Sequence, residues 1–156
     1  MHVEGGPSLA PFVATNAKWV RSLLELASVT PEDVVCDLGS GDGRVPIYAA
    51  HSGCRGGVCV DIDKALVDRA AGLAARRLGP AADKVRVVQA DAATLAVDGD
   101  VLKDVTVLFL FLLPDGLPAL TALVDAFLQR PGARVVCRTW ELPGVVPAAT
   151  EEFGET

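Results

Sequence analysis

The sequence has no long hydrophobic run. Its most apolar stretch, Val105 to Pro114, is broken by Thr106 and falls far short of the ~20 residues that span a bilayer. The four cysteines, Cys36, Cys54, Cys59 and Cys137, form no Cys-x-x-Cys pair, which fits small apolar core residues in a reducing compartment better than a metal site or disulfides. Positive charge is scarce: 14 Lys and Arg stand against 20 Asp and Glu, a net charge of -6. That balance argues against broad affinity for nucleic acid or anionic membrane and leaves a basic protein substrate open. The first residues, with Glu4, Gly5, Gly6 and Pro7, have neither the pattern of a signal peptide nor an Arg-rich transit segment. The expected location is therefore cytoplasmic. Of two histidines, His2 lies in the tail and His51 at a helix end, and neither suits a catalytic base. No repeat or low-complexity segment is present.

What remains is the composition of one globular domain. With 156 residues, 51% of them hydrophobic and 22% charged, the chain can bury a core. We expect a single domain over 1–156, with a tail at 1–10 and an irregular segment at 141–156. Apolar residues at Trp19, Val20, Leu23, Leu24 and Ala27 predict a helix from Thr15, its N-cap, to Ala27. Thr30-Pro31-Glu32-Asp33 turns into a strand, Val34–Leu38. A short helix, Val45–Ala50, tolerates Pro46 in its first turn, and a second strand, Val58–Asp61, opens at Gly56 and Gly57. Lys64–Leu78 is a helix that Gly79-Pro80 ends, its Arg69, Arg76 and Arg77 facing solvent. Val85–Gln89 is a third strand, and Ala92 to Lys103 a loop with at most a short helix. Val105–Leu113 reads as a central strand covered on both faces. A helix, Leu117–Arg130, and a strand, Arg134–Thr139, complete the pattern. Strands separated by such helices imply right-handed βαβ crossovers. The expected fold is Rossmann-like, a doubly wound, mainly parallel α/β sheet.

Ligands of such sheets bind beyond the carboxyl ends of the strands. Asp37, Asp61 and Asp91 stand at three successive strand ends, and between the first strand and its helix runs Asp37-Leu38-Gly39-Ser40-Gly41-Asp42-Gly43. A dinucleotide fingerprint is Gly-x-Gly-x-x-Gly, whereas Gly39, Gly41 and Gly43 alternate. No Gly-Lys-Ser/Thr follows, so a phosphate-binding P-loop is excluded. Asp37 would face a pyrophosphate unfavourably but suits a ligand carrying an ammonium group. A small adenosine ligand bearing a zwitterionic amino acid, S-adenosylmethionine, meets these conditions.

The segment Asp37–Gly43 resembles motif I of the class I methyltransferases, Asp/Glu-x-Gly-x-Gly-x-Gly. The resemblance implies that Gly39, Ser40, Gly41 and Gly43 surround the methionine end of the cofactor with Asp37. It also implies that Asp61, with Ile62 beside it, accepts hydrogen bonds from the ribose hydroxyls, and that Asp91 and the Ala92 backbone meet the adenine. Asp63, two residues on, reads as a helix cap. A narrower resemblance rests on "PFVATN" (Pro11–Asn16) and "LFLFLLPDG" (Leu108–Gly116). These are similar to the protein lysine methyltransferases that modify the ATP synthase c subunit and the adenine nucleotide translocase. That family carries Pro-aromatic-Val-Pro-Thr-Pro and Tyr-Leu-Leu-Pro-Glu; here Ala14 and Asn16 replace prolines, Phe111 the tyrosine and Asp115 the glutamate. By this resemblance Phe12 and Thr15 close over the cofactor, and a mitochondrial location stands beside the cytoplasmic one. A hydrophobic staple and a helix cap are an equally available reading of the same two residues.

Methyl transfer asks little of the protein, because the sulfonium is already an activated donor and the enzyme aligns a neutral nucleophile with it. Leu113, Pro114 and Asp115 are the expected acceptor side, with Trp140 as a channel wall or a core residue. Asp115 reads either as a group that draws in a cation or acts as general base, or as an N-cap before Leu117. No catalytic residue and no metal ligand is evident. No Asn/Asp-Pro-Pro-Tyr follows the fourth strand, which weighs against methylation of exocyclic base amines, as does the acidic charge. The resemblance implies a Rossmann-like sheet in the order 3-2-1-4-5 that usually continues into two further strands, not evident in this sequence. A shortened protein, a truncated one, or a subunit whose exposed sheet edge is covered by a second copy would each account for that. The expected activity is therefore S-adenosylmethionine-dependent methylation of a protein side chain, a lysine first, with S-adenosylhomocysteine as product. The competing reading is an accessory or degenerate subunit that binds the cofactor but is catalytically weak.

Overall fold

A computed structural model describes residues 16–111, 115–138, 142 and 144–150. Helix α1 (Ala17–Leu26) turns Val20, Leu23 and Leu24 inward, the i, i+3, i+4 stripe of an amphipathic helix. Its N-cap is Asn16, whose side chain accepts the Lys18 N–H at 2.9 Å. The cap expected at Thr15 is thus corrected by one residue, Thr15 itself lying outside the described residues.

The strands are β1 (Val34–Leu38), β2 (Gly56–Asp61), β3 (Val85–Gln89), β4 (Val107–Leu110) and β5 (Arg134–Cys137), and the longer helices are α2 (Arg44–His51), α3 (Lys64–Leu78) and α4 (Thr121–Leu128). The sheet has the order β3-β2-β1-β4-β5, with every pair parallel. This is the doubly wound, Rossmann-like fold expected from the sequence. Among the described residues no strand follows Cys137.

Register assigns the faces. Val35, Val107, Phe109 and Val136 pack with Val20, Leu23 and Leu24 of α1 and Val45 and Ala49 of α2. Cys59 joins Ile47 of α2 and Ala74 of α3. On the opposite face Cys36, Val58, Leu108 and Leu110 meet Leu123, Val124 and Phe127 of α4. Burying each such side chain contributes about 1.5–3 kcal/mol, so the two-sided packing of β1 and β4 dominates the stability. Helix α2 lies close on the sheet: a Cβ at Gly57 would come within 2.8 Å of Pro46.

Several boundaries differ from the sequence expectation: β2 begins at Gly56 rather than Val58, and α2 runs Arg44–His51 rather than Val45–Ala50. β4 begins at Val107 rather than Val105, because Val105 is drawn off the ladder. Its N–H donates to the Leu102 carbonyl at 3.1 Å and its carbonyl accepts from Arg130 at 3.0 Å, whereas the Thr106 backbone still bonds to Val34 and Arg134 in line with the sheet. It ends at Leu110, and 112–114 lie outside the described residues. The helix expected over Leu117–Arg130 divides into a 3-10 turn, Pro118–Leu120, and α4. The capping residues there are Leu117 and Leu120, neither with a side-chain cap bond, so Asp115 is not the expected N-cap. β5 stops at Cys137, Thr139 being outside the described residues.

The amino end of the sheet is tied by Asp33, which is buried. Its carboxylate accepts the Thr30 N–H at 2.8 Å and the Thr106 hydroxyl, and pairs with Arg134. Arg134 also donates to the Ala27 and Ser28 carbonyls that close α1, at 2.8 and 3.1 Å. Desolvation pushes the Asp33 pKa up, but the bonds from Thr30, Arg134 and Thr106 outweigh it and hold the carboxyl below its ordinary value. A depressed acid pKa contributes stability above the unfolded value near 4 that is lost as the pH falls through the folded one. Arg134→Met is therefore expected to cost about 2 kcal/mol in urea unfolding at pH 7, with a smaller difference from wild type below about pH 4. An equal difference at both pH values would contradict this.

Candidate functional site

The loop between β1 and α2 is shaped by glycines in left-handed conformations, Gly39 at φ 82°, Gly41 at 58° and Gly43 at 80°. A side chain is strained at such angles. Gly43 is also hemmed in, since a Cβ there would stand 2.9 Å from both Ala70 Cβ and Cys59 Sγ. The loop is bonded down onto β2. The Gly39 and Ser40 N–H groups donate to the Val60 carbonyl at 2.8 and 2.9 Å, and the Gly41 N–H donates to Asp61 Oδ2 at 2.9 Å. The Gly43 N–H donates to the Ser40 carbonyl at 3.0 Å. A phosphate cradle works by aiming unpaired amides at the ligand. These four are already bonded within the protein, which gives the exclusion of a phosphate loop a physical basis.

Asp37, the penultimate residue of β1, is 6% exposed. Its Oδ1 is buried and has no hydrogen-bond partner. Burial pushes the carboxyl well above the usual carboxylate range, and the charges of Asp61 and Asp42 push it further. Asp42 is itself engaged: Arg44 holds it through Nε at 3.0 Å and Nη2 at 2.5 Å. An orphaned carboxylate oxygen among other carboxylates is a receptor for a cationic group, and the α-ammonium of S-adenosylmethionine fits that requirement.

Asp61 ends β2 with both oxygens in use, Oδ2 accepting from Gly41 and Oδ1 from the Asp63 N–H at 2.9 Å. A carboxylate has about four lone-pair sites, so capacity remains for hydroxyl donors. Asp63 caps α3 through the Ala65 N–H at 2.9 Å, as its position in the sequence suggested. Asp91, two residues beyond β3, accepts the Ala93 N–H at 3.0 Å and caps a 3-10 turn. Ala92 is buried against the core that includes Leu38 and Val60. Ile62 is half-buried, and its carbonyl accepts from Gln89 Nε2 at 3.3 Å. Gln89 was not singled out in the sequence, where one exposed glutamine at a strand end carries no signal. The structure thus sets Asp37, Asp61 and Asp91 at the ends of three adjacent strands.

Across β1 the carboxyl edge has a different chemistry. The Arg138 guanidinium lies 4.0 Å from the centre of the Trp19 ring and 4.5 Å from that of Phe111. Neither Trp19 nor Arg138 was identified as functional from sequence. Asp115 is exposed, while Phe12, Thr15, Leu113, Pro114 and Trp140 lie outside the described residues. The cysteines are free, and burial pushes the Cys59 thiol well up and that of Cys137 to about 11, so neither is a ready nucleophile. Among the described residues no cluster of His, Cys, Asp or Glu is arranged to hold a metal ion.

The comparisons with known proteins agree with this geometry. A family model described as the ANTKMT methyltransferase domain matches residues 37–149. A protein-lysine N-methyltransferase of Saccharolobus islandicus is 33% identical over 138 residues, covering 88% of this chain and 81% of that protein. Among solved structures, an RNA methyltransferase from Salinibacter ruber in complex with S-adenosyl-L-homocysteine is 36% identical, with a TM-score of 0.79, over 90% of this chain and 87% of that one. A methyltransferase from Thiobacillus denitrificans, also in complex with S-adenosyl-L-homocysteine, is 20% identical with a TM-score of 0.61, covering 78% of this chain and 48% of that one, and shares the fold.

A raised acid pKa means stability that is present below the unfolded value near 4 and lost as the pH rises through the folded one. Asp37→Asn is therefore expected to stabilise the ligand-free chain at pH 7 by about 1 kcal/mol, with the difference vanishing toward pH 4. The same change should weaken S-adenosylhomocysteine binding by about tenfold or more. Unfolding at several pH values together with calorimetric titration checks both. A destabilised variant that binds as wild type does would refute the role of Asp37.

Proposed function

The chain belongs to the ANTKMT methyltransferase domain family, and on that premise we propose that it transfers a methyl group from S-adenosylmethionine to a lysine side chain of a protein. S-adenosylmethionine-dependent methyltransferase activity is the common property of the matched family and relatives. The observation that carries the lysine reading is the archaeal protein-lysine N-methyltransferase, which aligns with most of this chain. The net charge of -6 supports it, because an acidic surface attracts a basic protein segment and repels a phosphate backbone.

In this reading Asp37 receives the ammonium of the cofactor, with Gly39, Ser40, Gly41 and Gly43 around its methionine end. Asp61, with Ile62, receives the ribose hydroxyls, and Asp91 and Ala92 receive the adenine. Phe12 and Thr15 are assigned to closing the site. Leu113, Pro114, Asp115 and Trp140 are assigned to the acceptor. When bound, the cofactor supplies an activated methyl carbon: as the nitrogen–carbon bond forms the carbon–sulfur bond breaks, releasing S-adenosylhomocysteine and one proton. The residues on the acceptor side orient the amine and exclude water, and desolvation there lowers an ammonium pKa so that the lone pair is available. We assign the whole chain, 1–156, to one domain. The outer edge of β5 is the surface we assign to association with a second copy. Among the described residues no helix is long and apolar enough to cross a membrane, and the free cysteines accord with a reducing compartment such as the cytoplasm.

The Salinibacter ruber structure is of an RNA methyltransferase, which makes RNA the second acceptor to test. Tritiated methyl transfer into a cell lysate, divided and treated with protease or ribonuclease, separates the two. The expected result is label that protease removes and amino-acid analysis recovers as methylated lysine. Label released by ribonuclease would refute the lysine reading while leaving the cofactor assignment in place.

A further inference from the structure

The carboxyl edge of the sheet is shared between two sets of strands. β1, β2 and β3 carry the aspartates, whereas β4 and β5, on the far side of β1, lead into Phe111 and Arg138. The Arg138 N–H donates to the Leu110 carbonyl at 3.1 Å, which extends the β4–β5 ladder by one residue and fixes the start of the arginine side chain. Its guanidinium then reaches the Phe111 ring at 4.5 Å and the Trp19 ring, in the first turn of α1, at 4.0 Å. A planar, delocalised guanidinium can stack flat against two rings at once, whereas an ammonium, although it also makes cation–π contacts, is a compact point charge without that stacking plane. One side chain thereby joins the exit of β4, the exit of β5 and the start of α1.

The register shows what that junction stands beside. Leu38 pairs with Leu110, so Phe111 is level with Gly39, the first glycine of the loop. Asp37, assigned above to the methionine end of the cofactor, is one strand away. The aspartate side of the edge is taken by the rest of the cofactor, so an acceptor must approach the methyl group from the side of β4 and β5.

We propose that Arg138 is a positioning residue for methyl transfer: through Phe111 and Trp19 it fixes the wall against which the acceptor is aligned beside the glycine loop. It acts through those two rings rather than on the reacting atoms. The proposal rests on the methyl-transfer reading above and holds whether the acceptor is protein or RNA. Misalignment of reacting groups by about 1 Å can cost about a hundredfold in rate, so loosening this wall should slow transfer while leaving cofactor binding intact.

Full-length Arg138→Ala, Arg138→Lys, Phe111→Ala and Phe111→Tyr chains, and the Arg138→Ala/Phe111→Ala double variant, test it. Two quantities are measured: S-adenosylhomocysteine affinity by calorimetry, and the initial rate of tritiated methyl transfer into the lysate fraction that wild type labels. Arg138→Ala and Phe111→Ala are each expected to lower the rate by about 10- to 100-fold, with affinity within about twofold of wild type. The double variant should be no slower than the slower single one, because the two residues act as a unit. Phe111→Tyr, which keeps the ring, should recover most of the loss seen with alanine. Arg138→Lys, which keeps the charge but not the plane, should stay impaired. The proposal is overturned if Arg138→Ala transfers at the wild-type rate, if affinity falls in step with the rate, or if lysine restores full activity. No labelling by the wild-type chain would instead overturn the methyl-transfer reading, and this proposal with it.

Discussion

Asp37 lies next to the end of the strand on which both faces of the core are built, and one of its carboxylate oxygens is buried without a partner. Burying a carboxylate without full compensation costs several kcal/mol. The neighbouring strands do not relieve that cost: the Asp61 and Asp42 charges raise the carboxyl further. The surrounding packing tolerates it because β1 and β4 are buried along their whole length, and a few such side chains outweigh the penalty. The result is a rigid strand end that is electrostatically incomplete and complementary to a positively charged ligand group.

The glycine loop follows from the same constraint. For Asp37 to stay at the edge of a dry core, the chain after Leu38 must turn back at once and enter α2 without side chains in the way. Left-handed glycines permit the turn, and Val60 and Asp61 bond the amides of Gly39, Ser40 and Gly41. Asp61 thus anchors the loop, and in the proposed reading its remaining lone pairs receive the ribose hydroxyls. Strand order adds the last element. With β1 central, β2 and β3 supply further carboxylates on one side, and on the other β4 and β5 lead into Phe111 and Arg138, which meet Trp19 of α1. In the proposed reading this topology separates the donor side from the acceptor side.

Much of this was legible in the sequence, and the failures have physical causes. β1, β3 and α3 begin and end where periodicity and turn residues put them, since each is bounded by local signals such as Gly79-Pro80. The three aspartates at strand ends follow from the alternation of strands and helices, whereas the sheet order came with the resemblance carried by Asp37–Gly43. The start of β4 was misplaced because Val105 looks like a strand residue, yet its backbone bonds to Leu102 in a local turn and to Arg130, which is distant in the chain. The cap of α1 moved from Thr15 to Asn16, the adjacent residue and the stronger N-cap type of the two. The division of the helix expected over Leu117–Arg130 was missed, although Pro118, a residue that marks a first turn, stands at the 3-10 turn. The inward-facing amides of the loop and the contact of Arg138 with Trp19 and Phe111 were not legible at all. The first depends on the relative height of two strands, and the second on three separate segments meeting.

The central claim, that the orphaned oxygen of Asp37 receives the cationic end of S-adenosylmethionine, is tested most directly by a crystal structure of the chain with S-adenosylhomocysteine bound. The account predicts the ligand's ammonium nitrogen either about 2.7–3.0 Å from Asp37 Oδ1 or joined to it by one ordered water that bonds to both, with the loop from Gly39 to Gly43 unmoved. A ligand bound with its amino group elsewhere, and Asp37 Oδ1 still without a partner, would contradict it.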